Sequence, residues 1–108
     1  MASKAGARLV IENPGGGRGP AAPQSRATIV ISDAAHLCSA QWATREICRA
    51  LGFDEAGVYH AVIAVTEFAH KELLDMGRPG KLHLAALGRR GRRALEARTE
   101  LEPAAAHA

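Results

Sequence analysis

Two segments of the chain place apolar residues at the three-and-four spacing of an amphipathic helix, and shorter runs show the composition or alternation of strands. ATIVIS (27–32) is a β-branched run and predicts the first strand. Ser32 or Asp33 then caps a helix running to about Leu51. Its inward face is Leu37, Ala40, Thr44, Ile47 and Leu51, with Ala43 and Ala50 beside it. Trp42 falls on a different stripe with Cys38 and Arg49, where it reads as a half-buried packing residue or as an anchor for a partner. Gly52 supplies a left-handed stop. Asp54 caps a second helix, with Phe53 and Val58 spaced as a hydrophobic staple. This helix continues to about Asp75, ends at Gly77, and carries Val58, Ala61, Val62, Val65, Phe68 and Ala69 on one apolar face.

RPG (78–80) is turn chemistry, and KLHLAAL (81–87) alternates as a half-buried strand with Leu82, Leu84 and Ala86 on one side. GRRGR (88–92) turns the chain, and RALEART (93–99) is the hairpin partner through Leu95 and Ala97. The order is strand, helix, helix, strand, strand. It predicts an α+β two-layer sandwich with both helices on one face of an antiparallel sheet. Residues 27–101 form this domain. Residues 1–26 are expected to be a flexible arm ending in a Gly/Pro linker (13–25), and 102–108 a disordered tail. Within the arm, ARLVIE (7–12) either pairs as an edge strand or stays disordered.

Length sharpens this picture. At 108 residues the chain is one domain at most, and one with a thin core, because much of its 47% apolar content is alanine. So small a domain is marginal alone, which favours docking on a partner or self-association as a homodimer. The net charge is +3 but uneven: between Arg78 and Arg98 seven basic residues face Glu96 alone. Such a segment suits an acidic protein surface or nucleic acid, or is simply a solvated turn. Cys38 and Cys48 lie about 15 Å apart along one helix, too far to bridge, and are expected to be small buried apolar residues in a reducing compartment. No apolar run approaches a membrane span, and the amino terminus lacks a signal peptide's apolar core. These features predict a cytoplasmic protein with no membrane partner.

Candidate chemistry centres on VTEFAHKELL (65–74). Glu67 shares a stripe with His60, Ile63 and Lys71, so a general base is conceivable, yet Glu67 followed by Lys71 is also the favourable order for an exposed ion pair. The histidines are too scattered for a zinc site. GGGRG (15–19) is followed by Pro20 and Pro23 instead of a helix start, so it reads as linker and not as a phosphate loop.

From Ala35 to about Leu101 the chain resembles the first half of the small bacterial anti-sigma and switch serine kinases, within the histidine-kinase/Hsp90-like ATPase superfamily. The resemblance rests on ALGFDEAG (50–57), on AVTEFAHKELLDMG (64–77) and on a strand, the GRRGRR turn (88–93) and a second strand. It implies that Glu67 occupies the place of a general base toward ATP, and that Lys71 stands where the family has a magnesium-binding asparagine. A lysine ammonium has donors only and cannot ligate magnesium. LEPAA (101–105) replaces the family's adenine-binding aspartate and glycines. The resemblance therefore implies a degenerate, truncated ATPase-like domain without a cofactor, acting by protein–protein binding and not as an enzyme. Its partners would be a sigma factor, an anti-sigma antagonist or a sensor scaffold. The expected contact residues are Arg89, Arg90, Arg92 and Arg93 in the turn, with Trp42 and Arg49 on the first helix. Two alternatives accompany it: an ATP- and magnesium-dependent serine kinase using Glu67 and Lys71, and a small nucleic-acid binder using the arginine turn.

Overall fold

Strand alternation and two capped helices assemble as expected into an α+β two-layer sandwich. The computed structural model describes residues 6–13, 25–75, 77, 79–89 and 92–102. Strands β1 (Arg8–Glu12) and β2 (Arg26–Ile31) precede helices α1 (Leu37–Ala50) and α2 (Glu55–Ala69), and β3 (Gly80–Arg89) and β4 (Arg92–Leu101) follow. The four strands form one antiparallel sheet in the order β1-β4-β3-β2. The β3–β4 pairing runs from Gly80 opposite Leu101 to Arg89 opposite Arg92. Both strands are thus longer than the alternating runs alone delimit.

The first strand in this order decides ARLVIE (7–12), open between an edge strand and disorder, in favour of the edge strand, and so corrects the flexible arm expected over residues 1–26. Arg8–Glu12 pair with Glu96 and its neighbours in β4, from Arg8 opposite Arg98 to Glu12 opposite Ala94. The reason is physical: Leu9 and Ile11 pack against the core, which rewards ordering a segment that looks isolated in sequence. Most of the expected linker (14–24) and tail (103–108) lies outside the described residues.

One face of the sheet is apolar. Ile31, Leu82, Leu84, Leu95 and Ala97 are buried beneath the two helices, whereas Lys81, His83, Glu96 and Arg98 alternate with them on the opposite face. All five residues of the stripe predicted for α1 (Leu37, Ala40, Thr44, Ile47 and Leu51) are buried. Asp33 provides the cap, accepting from the Ala35 amide at 2.9 Å, and a 3-10 turn (Ala34–His36) leads into α1. At the other end Gly52, at φ +85°, allows a Schellman closure: Phe53 N donates to Cys48 O and Gly52 N to Arg49 O, each at 3.0 Å. Asp54 then caps α2 by accepting from Gly57 N at 2.8 Å, and both Phe53 and Val58 are buried as the staple requires.

The end of the second helix departs from the regular pattern. Residues His70–Leu74 form a π-helical turn, closed by Asp75 N donating to His70 O at 2.8 Å. The wider turn brings Leu73, fully buried, onto the core stripe and leaves Glu72 at its margin. Leu73 in turn lies against Gly80 at the start of β3. A Cβ added at Gly80 would stand 2.7 Å from both Leu73 Cδ2 and Glu100 O. Gly80→Ala is therefore expected to destabilise the fold by about 1–3 kcal/mol. Urea denaturation compared with wild type measures this, and an unchanged midpoint would contradict the packing described.

Candidate partner-binding surface

The residues singled out for catalysis lie on the outside of the helical layer. Glu67 and Lys71 are both exposed, and no salt bridge joins them among the described residues. At such exposure an i,i+4 pair contributes only about 0.3–0.5 kcal/mol, too little to hold two long side chains in one geometry. The expected surface ion pair is thus absent. His60, on the same stripe, contacts the ring of Tyr59 (centroids 6.1 Å apart), and His70 Nδ1 lies 3.1 Å from Asp75 Oδ1. No group of three or more His, Cys, Asp or Glu side chains that could hold a metal ion occurs among the described residues.

The arginine turn divides. Arg92 pairs with Glu12 of β1 at 3.2 Å. Arg93 is half-buried and donates from Nη1 to the carbonyl of Leu51 at 3.3 Å, while Asn13 Nδ2 donates to the same oxygen at 3.4 Å. That carbonyl lies at the carboxyl end of α1, where the helix dipole favours a cation. Arg93 therefore fastens helix to sheet, a role that a local charge run does not reveal. Arg90 and the side chain of Arg89 lie outside the described residues.

The first helix behaves differently from its sequence reading at two positions. Trp42 is 64% exposed and so is not the half-buried packing residue that was one of its two expectations. Arg49 is also exposed, 3.8 Å from Glu46. Gln41 Nε2 reaches Thr66 Oγ1 of α2 at 3.3 Å, one of the contacts that hold the two helices side by side. Helical periodicity turns Trp42 of α1 and Tyr59 and Ile63 of α2 away from the buried faces of their helices. Tyr59 is 65% exposed and Ile63 39%. Sequence reasoning missed these two, although their i,i+4 spacing opposite the apolar face of α2 was the available signal.

Cys38 corrects the expectation of two buried cysteines: it is exposed, on the Trp42 side of α1, while Cys48 is fully buried. Burial pushes the Cys48 thiol up from 9.0 to about 11. Folded chains therefore keep a proton that unfolded chains release between these values. The resulting stabilisation is complete below pH 9 and is lost as pH rises toward 11. The stability difference between wild type and Cys48→Ala is expected to fall over this window, with a slope approaching about 1.4 kcal/mol per pH unit. Denaturant titrations at a series of alkaline pH values measure it, and a flat difference would contradict the assignment.

The open face of the sheet carries its own polar lattice. Glu96 accepts from Arg8 Nε at 2.5 Å and lies 3.7 Å from Arg98 Nε. His83 bridges Thr28 Oγ1 (3.1 Å) and Glu100 (2.8 Å). These charges are matched within the fold. No described helix is long and apolar enough to cross a membrane. Compared with known proteins, the chain matches no family model, no curated protein and no solved structure.

Proposed function

We propose that this is a non-catalytic regulatory protein that works by protein–protein binding, as the resemblance to truncated anti-sigma and switch serine kinases implies. Its partner would be a sigma factor, an anti-sigma antagonist or a sensor scaffold in the bacterial cytoplasm. One observation carries the reading: Trp42 of α1 and Tyr59 and Ile63 of α2 stand exposed on two helices that pack side by side, and α1 also exposes the cations Arg45 and Arg49. Trp, Tyr and Arg are the side chains most enriched among residues that dominate binding energy: the aromatics bury much area with only two torsions to freeze, and Arg adds a planar fork of charged donors. Support also comes from the order α1-α2-β3-β4, which agrees with the helix, helix, strand and strand on which the resemblance from Ala35 to about Leu101 rests.

Trp42 is the single tryptophan, so its fluorescence reports directly on this surface. Titration with a cognate sigma factor or its antagonist is expected to shift the emission to the blue as the indole leaves water. Trp42→Ala and Tyr59→Ala are each expected to weaken binding at least about tenfold, near 1.4 kcal/mol, without lowering thermal stability. Binding that survives both substitutions would overturn this surface as the contact.

The kinase alternative makes a separate prediction. If Glu67 and Lys71 served ATP and magnesium, Glu67→Ala would weaken nucleotide binding. On the reading proposed here, calorimetry with ATP and magnesium gives no saturable heat for wild type or Glu67→Ala. A saturable signal that Glu67→Ala removes would restore the catalytic reading.

A further inference from the structure

Among the described residues β1 and β2 close the two sides of the sheet, and each leaves a row of backbone groups without a strand beside it. Which groups these are follows from the pairing. Thr99 N donates to Ala7 O at 3.0 Å and Asn13 N to Arg93 O at 2.8 Å, both in the β1–β4 register. Odd-numbered residues of β1 therefore direct their amides and carbonyls toward β4. Those of Arg8, Val10 and Glu12 point away, to the free side.

The side chains at those three positions form an ordered set. Val10 is an exposed apolar residue, 42% accessible, with a cation two positions before it and an anion two positions after. When RLVIE is laid antiparallel on a copy of itself about a two-fold axis at Val10, Arg8 falls opposite Glu12, Val10 opposite Val10, and Leu9 opposite Ile11. This register uses all three outward residues, joins opposite charges across the strands and extends the apolar face without a break. Shifting it by two residues loses a hydrogen-bonded pair and sets neither Arg8 nor Glu12 opposite a residue of the other sign, leaving them only their partners within the fold, Glu96 and Arg92. The other edge is less suited. By the same parity, from Ala86 N donating to Ser25 O at 3.0 Å, the outward residues of β2 are Arg26, Thr28 and Val30. A two-fold pairing there sets Arg26 against Val30, with no anion to meet it.

We propose that the protein pairs with a second copy of itself through β1, in a two-fold antiparallel register centred on Val10, to give a continuous eight-stranded sheet. The helical surface around Trp42 lies on another part of the molecule, so the proposal does not rest on the regulatory reading.

Two kinds of variant test it. Val10 does not donate to β4, so Val10→Pro removes an outward donor while sparing the β1–β4 ladder. Val10→Lys sets two ammonium groups opposite each other. In analytical ultracentrifugation the wild type is expected to be a dimer at micromolar concentration. Each substitution is expected to raise the dissociation constant at least about tenfold with the unfolding midpoint kept. Register is read by cysteines placed in a Cys38→Ser background. The Cα atoms of opposed Val10 residues would be about 5.5 Å apart, within disulfide range, whereas the two Glu12 positions would be separated by roughly 14 Å along the strands. Val10→Cys is expected to cross-link under mild oxidation and Glu12→Cys not to. A wild type that stays monomeric overturns the proposal, as does a Glu12→Cys chain that cross-links as readily as Val10→Cys. If Val10→Pro fails to fold, the cysteine pair decides alone.

Discussion

The sheet has one apolar face and a single pair of helices to cover it, and this constraint governs the rest of the molecule. Leu82, Leu84, Leu95 and Ala97 leave water only because α1 and α2 lie across them. Small residues such as Ala40, Ala61 and Ala69 at the buried helix positions let backbones approach closely but bury little area each. The covering layer must then be held by more than its own packing. The caps at Asp33 and Asp54, the Schellman turn at Gly52 and the two side chains converging on the Leu51 carbonyl supply that hold. Asn13 comes from the end of β1 and Arg93 from the start of β4, so one oxygen joins α1 to two strands of the sheet.

The same economy separates the parts of the surface available for function. Several charges on the open face of the sheet are matched within the fold, with Glu96 between Arg8 and Arg98 and His83 between Thr28 and Glu100. Arg92 and Arg93, which in sequence belong to a cationic turn, are drawn to Glu12 and Leu51. The helices, by contrast, expose aromatic and aliphatic area at Trp42, Tyr59 and Ile63. A surface of that composition contributes through desolvation and shape, a chemistry suited to a macromolecular partner.

Much of the fold was legible because it is written in local patterns. The α1 stripe from Leu37 to Leu51, the cap at Asp54, the staple of Phe53 and Val58 and the alternation of Leu82 and Leu84 each involve residues within a few positions of one another. What escaped was non-local. ARLVIE carries the period of a strand, but nothing in it names β4 as its neighbour. Arg93 looks like any member of a charge run until the end of α1 is placed beside it. The π turn at His70–Leu74 answers to the seating of Leu73 against Gly80, a contact between separate elements. Cys38 is the instructive exception: it shares the outward stripe of Trp42 and Arg49, so helical spacing alone contained its exposure. In the candidate site the resemblance directed attention to Glu67 and Lys71. Tyr59 and Ile63 were overlooked because exposed apolar residues stand out only once the buried face is known.

The pairing of β1 with β4 also has a bearing on the order of folding. In this sheet the first strand of the chain lies beside the last, with Arg8 opposite Arg98. The β3–β4 hairpin and the helix pair can each form from near neighbours, but β1 can dock only after β4 exists. Its loop-closure entropy is the largest in the fold, while its reward is limited to one neighbour and two half-buried apolar side chains. Within a single chain β1 is therefore the late and least protected unit, with amides that exchange through local opening while the β3–β4 core stays closed.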